Sequence, residues 1–325
     1  MNRRVFLGTV AGSLLAAPLP VRAQQAGRVY RIGILESIPA AQNAANLNAL
    51  RKGLQQLGYV EGKNLVIEYR SSDGRPERFR DLASELVRLN VDLLVTRGTP
   101  ATMAAKNAAG TIPVVMATMG DPSALVASYA RPGGNVTGVT TFTTELTAKR
   151  IELLKELVPR LSHIALLHNL GNPAASPEWE ETKTAARSLG LEAELFDVRR
   201  EADLNGVFEL ATRHRVEALV IGADGLTQLH QDAILAGVAR SQLPAIYPAR
   251  EFVDAGGLVA YGVNYPDLYL EFATIVDKIL KGAKPGELPV QQPRKFQLVI
   301  NLKTARRLGL AIPQSLLLRA DEVIQ

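Results

Sequence analysis

The chain has no cysteine, a single tryptophan, and aromatic side chains at only 5% of its 325 positions. Without cysteine, disulfide bonds and thiol catalysis are excluded, so stability has to come from burial of apolar surface. The four histidines show no H-E-x-x-H or comparable spacing, and no G-x-S-x-G, P-loop or strand-linked G-x-G-x-x-G motif occurs. We therefore expect no enzymatic activity, no cofactor and no metal.

The chain also has little excess charge once its first residues are set aside. It carries 37 Lys and Arg against 32 Asp and Glu, a net charge of +5, and without Arg3, Arg4 and Arg22 the basic count falls to 34. The doublets at 199–200 and 306–307 are isolated, which is typical of solvated surface. Because a nucleic-acid-binding protein normally carries a clustered basic face, we expect no nucleic-acid partner.

The first 23 residues have the pattern of a cleavable export signal of the twin-arginine type. Arg3-Arg4-Val5-Phe6-Leu7 precedes a short apolar stretch that Pro18 and Pro20 end, and Val21-Arg22-Ala23 places small residues at the −3 and −1 positions. That stretch is too short to span a bilayer, and no later stretch reaches about 18 apolar residues. We expect cleavage after Ala23 and a soluble periplasmic protein; export by the general secretion route stays an alternative.

Short apolar segments with β-branched residues alternate with amphipathic segments of helical period over 29–117, and the pattern begins again over 146–247. Such alternation predicts parallel sheets covered by helices on both faces. The predicted fold class is therefore α/β, with two similar three-layer αβα lobes and a ligand cleft between them. We assign residues 29–142 and 267–325 to the N-terminal lobe and residues 143–266 to the C-terminal lobe.

Several short motifs occur along the chain, each weakly specific alone but specific in their order and spacing. They are Arg-Ile-Gly-Ile-Leu (31–35), Gly-Leu-Gln-Gln-Leu-Gly-Tyr-Val-Glu-Gly-Lys-Asn (53–64), Gly-Thr-Pro-Ala (98–101), Gly-Asp-Pro (120–122), Arg-Pro-Gly-Gly-Asn-Val-Thr-Gly (131–138), Lys-Arg-Ile-Glu-Leu-Leu-Lys-Glu-Leu-Val-Pro (149–159), Tyr-Gly-Val-Asn-Tyr (261–265) and Asn-Leu-Lys-Thr-Ala-Arg-Arg-Leu-Gly-Leu-Ala-Ile-Pro (301–313). With these motifs, the chain resembles an ABC-transporter substrate-binding protein of the tryptophan-binding (TrpX-like) family over nearly all of residues 29 to 320.

The resemblance implies the type I periplasmic-binding-protein fold and capture of a small solute for an ABC permease in the inner membrane. It favours an amino acid, aromatic ones included, or an aromatic carboxylate as ligand, and we expect a monomer. The side-chain specificity does not follow from the residues. A periplasmic sensor that presents its bound state to a membrane kinase would share every motif. A repressor's effector domain would carry a helix-turn-helix where this chain carries an export signal.

In the first lobe, the candidate ligand-binding residues follow the ends of predicted strands. Ligands of parallel α/β sheets bind at this carboxyl edge. At 98–101 free amides of a helix start favour an anion such as a carboxylate, whereas Asp121 and Glu36 are candidate partners of an ammonium group. Each position is also explained by an ordinary helix cap or an exposed loop. The candidates are Glu36, Gly98, Thr99, Ala101, Thr118, Gly120 and Asp121.

The candidates of the second lobe also follow strand ends, and they are Asn169, Asn172, Ala223, Asp224 and Tyr247. Amide and carboxylate side chains at these positions would close over an amino-acid head group, and Asp224 is the preferred ammonium partner of this lobe. Asn172 before a proline and Asp224 before a glycine are equally consistent with simple turns. Tyr247 would stack on an aromatic ligand or pack between the lobes.

Overall fold

The computed structural model describes residues 27–141 and 143–325, so the predicted export signal lies outside the described residues. Across these two ranges, every helix is too short or too polar to cross a membrane. The predicted architecture is confirmed, because the described chain forms two αβα lobes with mostly parallel sheets.

In the described part of the chain, twelve strands form two sheets. The first sheet has the order β2-β1-β3-β4-β5 and is entirely parallel. The second has the order β12-β11-β10-β9-β8-β6-β7, and β11 runs antiparallel to β10. The strands are β1 (Tyr30–Glu36), β2 (Leu65–Ser71), β3 (Leu93–Arg97), β4 (Val114–Met119), β5 (Val136–Thr140), β6 (His163–His168), β7 (Glu192–Asp197), β8 (Ala218–Ile221), β9 (Ala245–Tyr247), β10 (Val259–Gly262), β11 (Gln297–Asn301) and β12 (Glu322–Ile324).

Helices cover both faces of each sheet. They are α1 (Ala44–Gln56), α2 (Phe79–Arg88), α3 (Thr99–Ala109), α4 (Thr143–Leu157), α5 (Ala175–Ser188), α6 (Asp203–Arg213), α7 (Gly225–Leu229), α8 (Gln231–Ser241), α9 (Arg250–Asp254), α10 (Tyr265–Leu280), α11 (Leu302–Arg307) and α12 (Gln314–Arg319). In the first lobe α1 and α10 pack on one face and α2 and α3 on the other. In the second lobe α4 and α5 lie on one face and α6 and α8 on the other. The central strands are buried on both sides, which explains their nearly continuous apolar sequence.

The last part of the chain does not return to the first lobe as a whole, so the assignment of 267–325 is wrong for its later half. Helix α10 packs against α1 in the first lobe, but β11 and β12 extend the second sheet. The apolar pattern of a strand such as Gln297–Asn301 fits the edge of either sheet. Antiparallel pairing with β10 decides the matter.

Strand β5 follows a glycine-containing turn at 131–135 and contains a glycine of its own. Gly138 lies within this strand at φ 138°, and a Cβ there would be 2.1 Å from the Met116 carbonyl oxygen. Glycine is therefore required because β4 and β5 approach closely at this position. Farther along, α7 and α8 are separate helices with His230 between them.

The contact between α1 and α10 generates the first prediction. A Cβ on Gly53 would lie 2.6 Å from the Leu270 carbonyl oxygen and 2.7 Å from Ala273 Cβ. We expect Gly53→Ala to lower the free energy of unfolding by about 1–3 kcal/mol, because the two helices would have to move apart. Urea denaturation followed by circular dichroism measures this change.

The matched control is Gly206→Ala, since Gly206 is an exposed helical glycine, and a Cβ placed on it would have no atom within 4 Å. Here alanine should raise the free energy of unfolding by about 0.5–1 kcal/mol, because it restricts the unfolded chain. Equal shifts in the two variants would show that the α1–α10 contact tolerates a side chain at position 53.

Candidate functional site

A cavity of about 910 Å³ lies between the two lobes. Its walls come from the segments that follow β1, β3 and β4 in the first lobe and β6, β8 and β9 in the second. Strand ends at the carboxyl edge of parallel sheets are where α/β proteins bind ligands. The cavity is therefore the candidate functional site.

The structure brings most of the sequence-predicted residues to this cavity. The nine that line it are Glu36, Gly98, Thr99, Thr118, Gly120, Asn169, Asn172, Ala223 and Asp224. These nine residues lie at five strand ends and come from both lobes. The expectation that ligands bind at the carboxyl ends of strands therefore located them without any information on contacts. Their role toward a ligand stays a prediction.

Three predicted residues lie outside the cavity. Ala101 is fully buried in α3. Asp121 is exposed and accepts hydrogen bonds from the Ser123 amide at 2.8 Å and the Tyr129 hydroxyl at 3.1 Å, so it closes its own turn. Tyr247 is fully buried in the second lobe, where its ring stacks on Phe252 with 5.0 Å between centroids.

The turn between β3 and α3 forms the end of the cavity that favours an anion. The Gly98 amide donates to the Thr118 carbonyl at 2.8 Å, which ties this turn to the end of β4. Gly98 has φ 81°, a conformation that favours glycine, and α3 begins at Thr99. Thr99 and the start of this 11-residue helix line the cavity here, and a helix start carries a partial positive charge.

Arg97 is a cavity residue that the sequence reasoning missed. It is the last residue of β3, only 9% exposed, and its guanidinium carbon lies 4.5 Å from the centroid of the Tyr265 ring. Burial is the largest single influence and lowers the pKa of Arg97. The charge of Glu36, with smaller contributions from Tyr269, Tyr265 and Glu251, together raises that pKa more, so the net pKa is above its ordinary value. The cavity therefore holds a permanent positive charge beside Thr99. An arginine at the end of an otherwise apolar strand was the available signal.

Glu36 lies at the cavity's inner wall, in contact with the first lobe's interior. Its Oε1 accepts hydrogen bonds from the Tyr269 hydroxyl and from Asn43 Nδ2, both at 3.0 Å. Burial raises the pKa of Glu36, opposed by the positive charge of Arg97 and by these hydrogen bonds. Glu36 is 1% exposed and its charge offsets that of Arg97, so it is a weaker candidate than the half-buried Asp224 for contact with a cation.

The second lobe contributes a carboxylate held by two amides. Asp224 Oδ2 accepts from Asn172 Nδ2 at 2.7 Å, and Asp224 Oδ1 caps α7 by accepting from the Leu226 amide at 2.7 Å. Asn169 Nδ2 lies 3.4 Å from Asp224 Oδ1. Asp224 can therefore cap α7 and also contact a ligand ammonium group, because one carboxylate has about four acceptor positions.

A buried polar network lies behind Asn169. Its backbone amide donates to Nδ1 of His168 at 2.8 Å, and Nε2 of the same ring is 3.0 Å from Glu178. Burial raises the pKa of Glu178, but His168 and Arg150 lower it more, and its net pKa is below the ordinary value. Arg150 also donates to the Tyr261 carbonyl at 2.8 Å, beside the point where the chain leaves the second lobe. This network fixes the loop that presents Asn169 to the cavity.

Three aromatic side chains that the sequence reasoning did not place also line the cavity. Phe79 comes from the first lobe, Phe252 from the second, and Tyr265 from the start of α10. Each lies in a helix that follows a loop of the carboxyl edge. The helix starts were visible in the sequence, but the direction of these side chains was not.

The lobes touch directly beside the cavity. A Cβ on Gly225 would lie 2.3 Å from Ser37 Cβ, and one on Gly74 would lie 2.5 Å from Leu229 Cδ2. Gln42 Nε2 reaches the Leu229 carbonyl at 3.5 Å. The structure is therefore a closed arrangement in which glycines let opposing loops meet.

Nothing in the described ranges groups three or more His, Asp or Glu side chains in a way that could hold a metal ion. The cavity instead offers a positive end at Arg97 and α3, a negative end at Asp224, and aromatic walls. Such a distribution suits a small zwitterion or a carboxylate with an apolar body.

Several known proteins are similar to this chain in sequence and fold. A curated relative, the tyrosine-binding protein of Clostridioides difficile (strain R20291), is 24% identical over 261 residues, which cover 80% of this chain and 75% of the relative. The solved ABC domain of Streptococcus pneumoniae in complex with L-Trp superposes with a TM-score of 0.84 at 28% identity, covering 91% of this chain and 100% of the other. A conserved domain protein from Vibrio cholerae O1 biovar eltor gives 0.85 at 27% identity, with the same coverage.

The sequence profile of one family, described as ABC transporter substrate binding protein, matches residues 31–324. The match extends over both lobes and all the cavity segments, and it confirms the family resemblance of the motifs. Proteins of this family are extracytoplasmic and bind small molecules for a permease. The chain belongs to the ABC transporter substrate-binding protein family.

Proposed function

We propose that this protein captures an amino acid with an aromatic side chain between its lobes and presents it, closed, to an ABC permease in the inner membrane. The observation that carries the proposal is the cavity itself. It combines one positive end, one negative end and three aromatic walls within a single space between the lobes. The tyrosine-binding relative and the L-Trp complex of the similar ABC domain support the ligand class.

The ligand carboxylate would lie at the β3–α3 turn. The Thr99 hydroxyl, the Thr99 and Ala101 amides at the helix start and the Arg97 guanidinium are hydrogen-bond donors, and a carboxylate only accepts hydrogen bonds; Pro100, between these amides, has no N–H. Hydrogen bonds between charged groups are about twice as strong as neutral ones. This end of the cavity would therefore hold the ligand before the lobes close.

The ligand ammonium group would lie at Asp224, which belongs to the opposite lobe. An α-amino acid would thus link the two lobes through its own two charges, and the Asp224 contact would form only in the closed state. A ligand shifts an equilibrium toward the state that it binds better, so this contact would drive closure. The side chain would lie between Phe79, Phe252 and Tyr265, where ring stacking adds to burial.

Export by the predicted signal at 1–23, with cleavage after Ala23, would place the protein in the periplasm as a monomer. A chain without cysteine is compatible with that location, because it has no thiol that could form an unwanted disulfide there. The permease is a proposed partner on the basis of the family.

The head-group arrangement predicts large losses of affinity from conservative changes. Thr99→Ala and Asp224→Asn should each weaken binding of L-tryptophan or L-tyrosine at least about tenfold, because each removes one charge-assisted contact worth about 1.5–3 kcal/mol. Asparagine still caps α7 with its amide oxygen but loses the hydrogen bond from Asn172 Nδ2, so the free Asp224→Asn protein should stay folded with a somewhat lower unfolding temperature. Isothermal titration calorimetry measures the affinities.

Asp121→Asn is the matched control, since Asp121 also follows a strand end, that of β4, but lies outside the cavity. The affinity of Asp121→Asn for L-tryptophan or L-tyrosine should equal that of the unchanged protein. If no α-amino acid or aromatic carboxylate binds at all, the proposed ligand class is wrong; if Asp121→Asn weakens binding as much as Asp224→Asn, the placement of the ammonium is wrong.

The glycine contacts between the lobes predict that closure is blocked by a single side chain. In Gly225→Val, the new atoms would overlap Ser37, so the lobes could not reach the closed arrangement. We expect this variant to bind ligand more weakly than the unchanged protein. In the presence of ligand it should also keep a larger radius of gyration than the unchanged protein, which small-angle X-ray scattering measures.

The control for closure is Gly134→Val, because a Cβ on Gly134 would have no atom within 4 Å. This variant should compact on ligand addition like the unchanged protein. Normal compaction of Gly225→Val would mean that the contact between 225 and 37 plays no part in closure.

The aromatic walls predict selectivity among ligands. Phe252→Leu should reduce affinity for L-tryptophan about tenfold while changing affinity for L-leucine little, because only the aromatic ligand loses a stacking partner. Phe272→Leu, a buried change in α10 outside the cavity, should leave the ratio of the two affinities unchanged. An unaltered ratio in Phe252→Leu would show that this ring does not contact the ligand side chain.

A further inference from the structure

A second cavity, of about 570 Å³, lies inside the second lobe, away from the cleft. Helix α8, the residues that precede β10, and α11 enclose it, and Tyr247 of β9 lines it. Most of its surface is apolar, contributed by side chains such as Leu235, Val238, Leu243 and Leu308.

The wall of this second cavity contains a buried hydroxyl with no partner. Tyr247 is 0% exposed, and its hydroxyl makes no hydrogen bond within the described residues. Gly257 keeps room for the ring, because a Cβ there would lie 2.6 Å from Tyr247 Cε2. Since buried polar groups are nearly always hydrogen-bonded, this hydroxyl needs a partner that the chain does not supply.

Arg307 adds a positive charge to the same cavity. It lines the wall, is exposed to solvent, and donates from Nη2 to the Thr304 hydroxyl at 3.0 Å. None of the ion pairs in the described ranges involves it, although other arginines of the second lobe, such as Arg250, pair with acids. Its charge is thus available to a ligand.

We propose that this cavity is a second ligand site, for a small apolar carboxylic acid that carries another acceptor oxygen. The hydrocarbon body lies against the leucines, the carboxylate lies near Arg307, and the second oxygen accepts a hydrogen bond from the Tyr247 hydroxyl. The site is distinct from the cleft, but the two share a wall. Phe252 lines the cleft, and the Tyr247 ring stacks on it at an interplanar angle of 15°.

The test uses two probes with one skeleton, 4-phenylbutyrate and 3-benzoylpropionate, which adds a ketone oxygen. Calorimetric titration of the full chain should show saturable binding of both, with 3-benzoylpropionate tighter by about fivefold to tenfold because of one additional hydrogen bond. Tyr247→Phe should remove that advantage and leave 4-phenylbutyrate binding unchanged. Its unfolding temperature reports whether the fold is kept.

Arg307→Gln supplies a test that does not touch the core, because Arg307 is exposed. It should weaken both probes about equally, whereas Arg306→Gln, the neighbouring exposed arginine outside the cavity, should weaken neither. Asp224→Asn should also leave probe binding unchanged, which separates this site from the cleft. Failure of the cleft proposal would not alter these outcomes.

Absence of saturable binding at low-millimolar probe would overturn the second site. So would binding that Tyr247→Phe and Arg307→Gln leave unchanged, or binding that Asp224→Asn abolishes, since the probes would then occupy another surface or the cleft.

Discussion

Parallel strands all end at the same edge of their sheet, and in this protein the carboxyl edges of two sheets face each other across one gap. Every polar group of the cavity depends on this constraint. The β3–α3 turn, the amides beside Asp224 and the aromatic rings are far apart in sequence, yet each follows a strand end. The lobes touch at Ser37 and Gly225, and this contact borders the cavity between the sheets.

Each charged group of the cavity is stabilised by partners in its own lobe. In the first lobe Glu36 offsets the buried charge of Arg97 and is itself hydrogen-bonded by Tyr269 of α10. In the second lobe Asp224 uses amide donors and the start of α7. Burying a charge without such partners is costly, and each lobe supplies hydrogen-bonding partners for its own part of the site. The proposed ligand, with one charge at each end, would connect the two halves of the site.

Much of the fold and part of the site followed from the sequence, for identifiable reasons. Gly98, Thr99, Asn172 and Asp224 were found because small and polar residues after a buried strand mark the carboxyl edge. Tyr247 was misplaced because side chains alternate across a strand, and its position in β9 directs it away from the cleft. Arg97 was missed because arginine is usually exposed, and its burial depends on a contact with Glu36 that the sequence does not show. The tail was misassigned because an apolar strand does not specify which of two sheets it joins.

The order in which the chain visits its lobes has a consequence for biosynthesis. One face of the first lobe is covered only in part, by α1, until α10 has been made, and α10 follows β6 to β10 of the second sheet. The second sheet in turn lacks two strands until β11 and β12 have followed α10. A nascent chain emerging from the ribosome therefore cannot complete the first lobe before starting the second. Two partly exposed cores coexist during synthesis, and the cell has to shield both from aggregation.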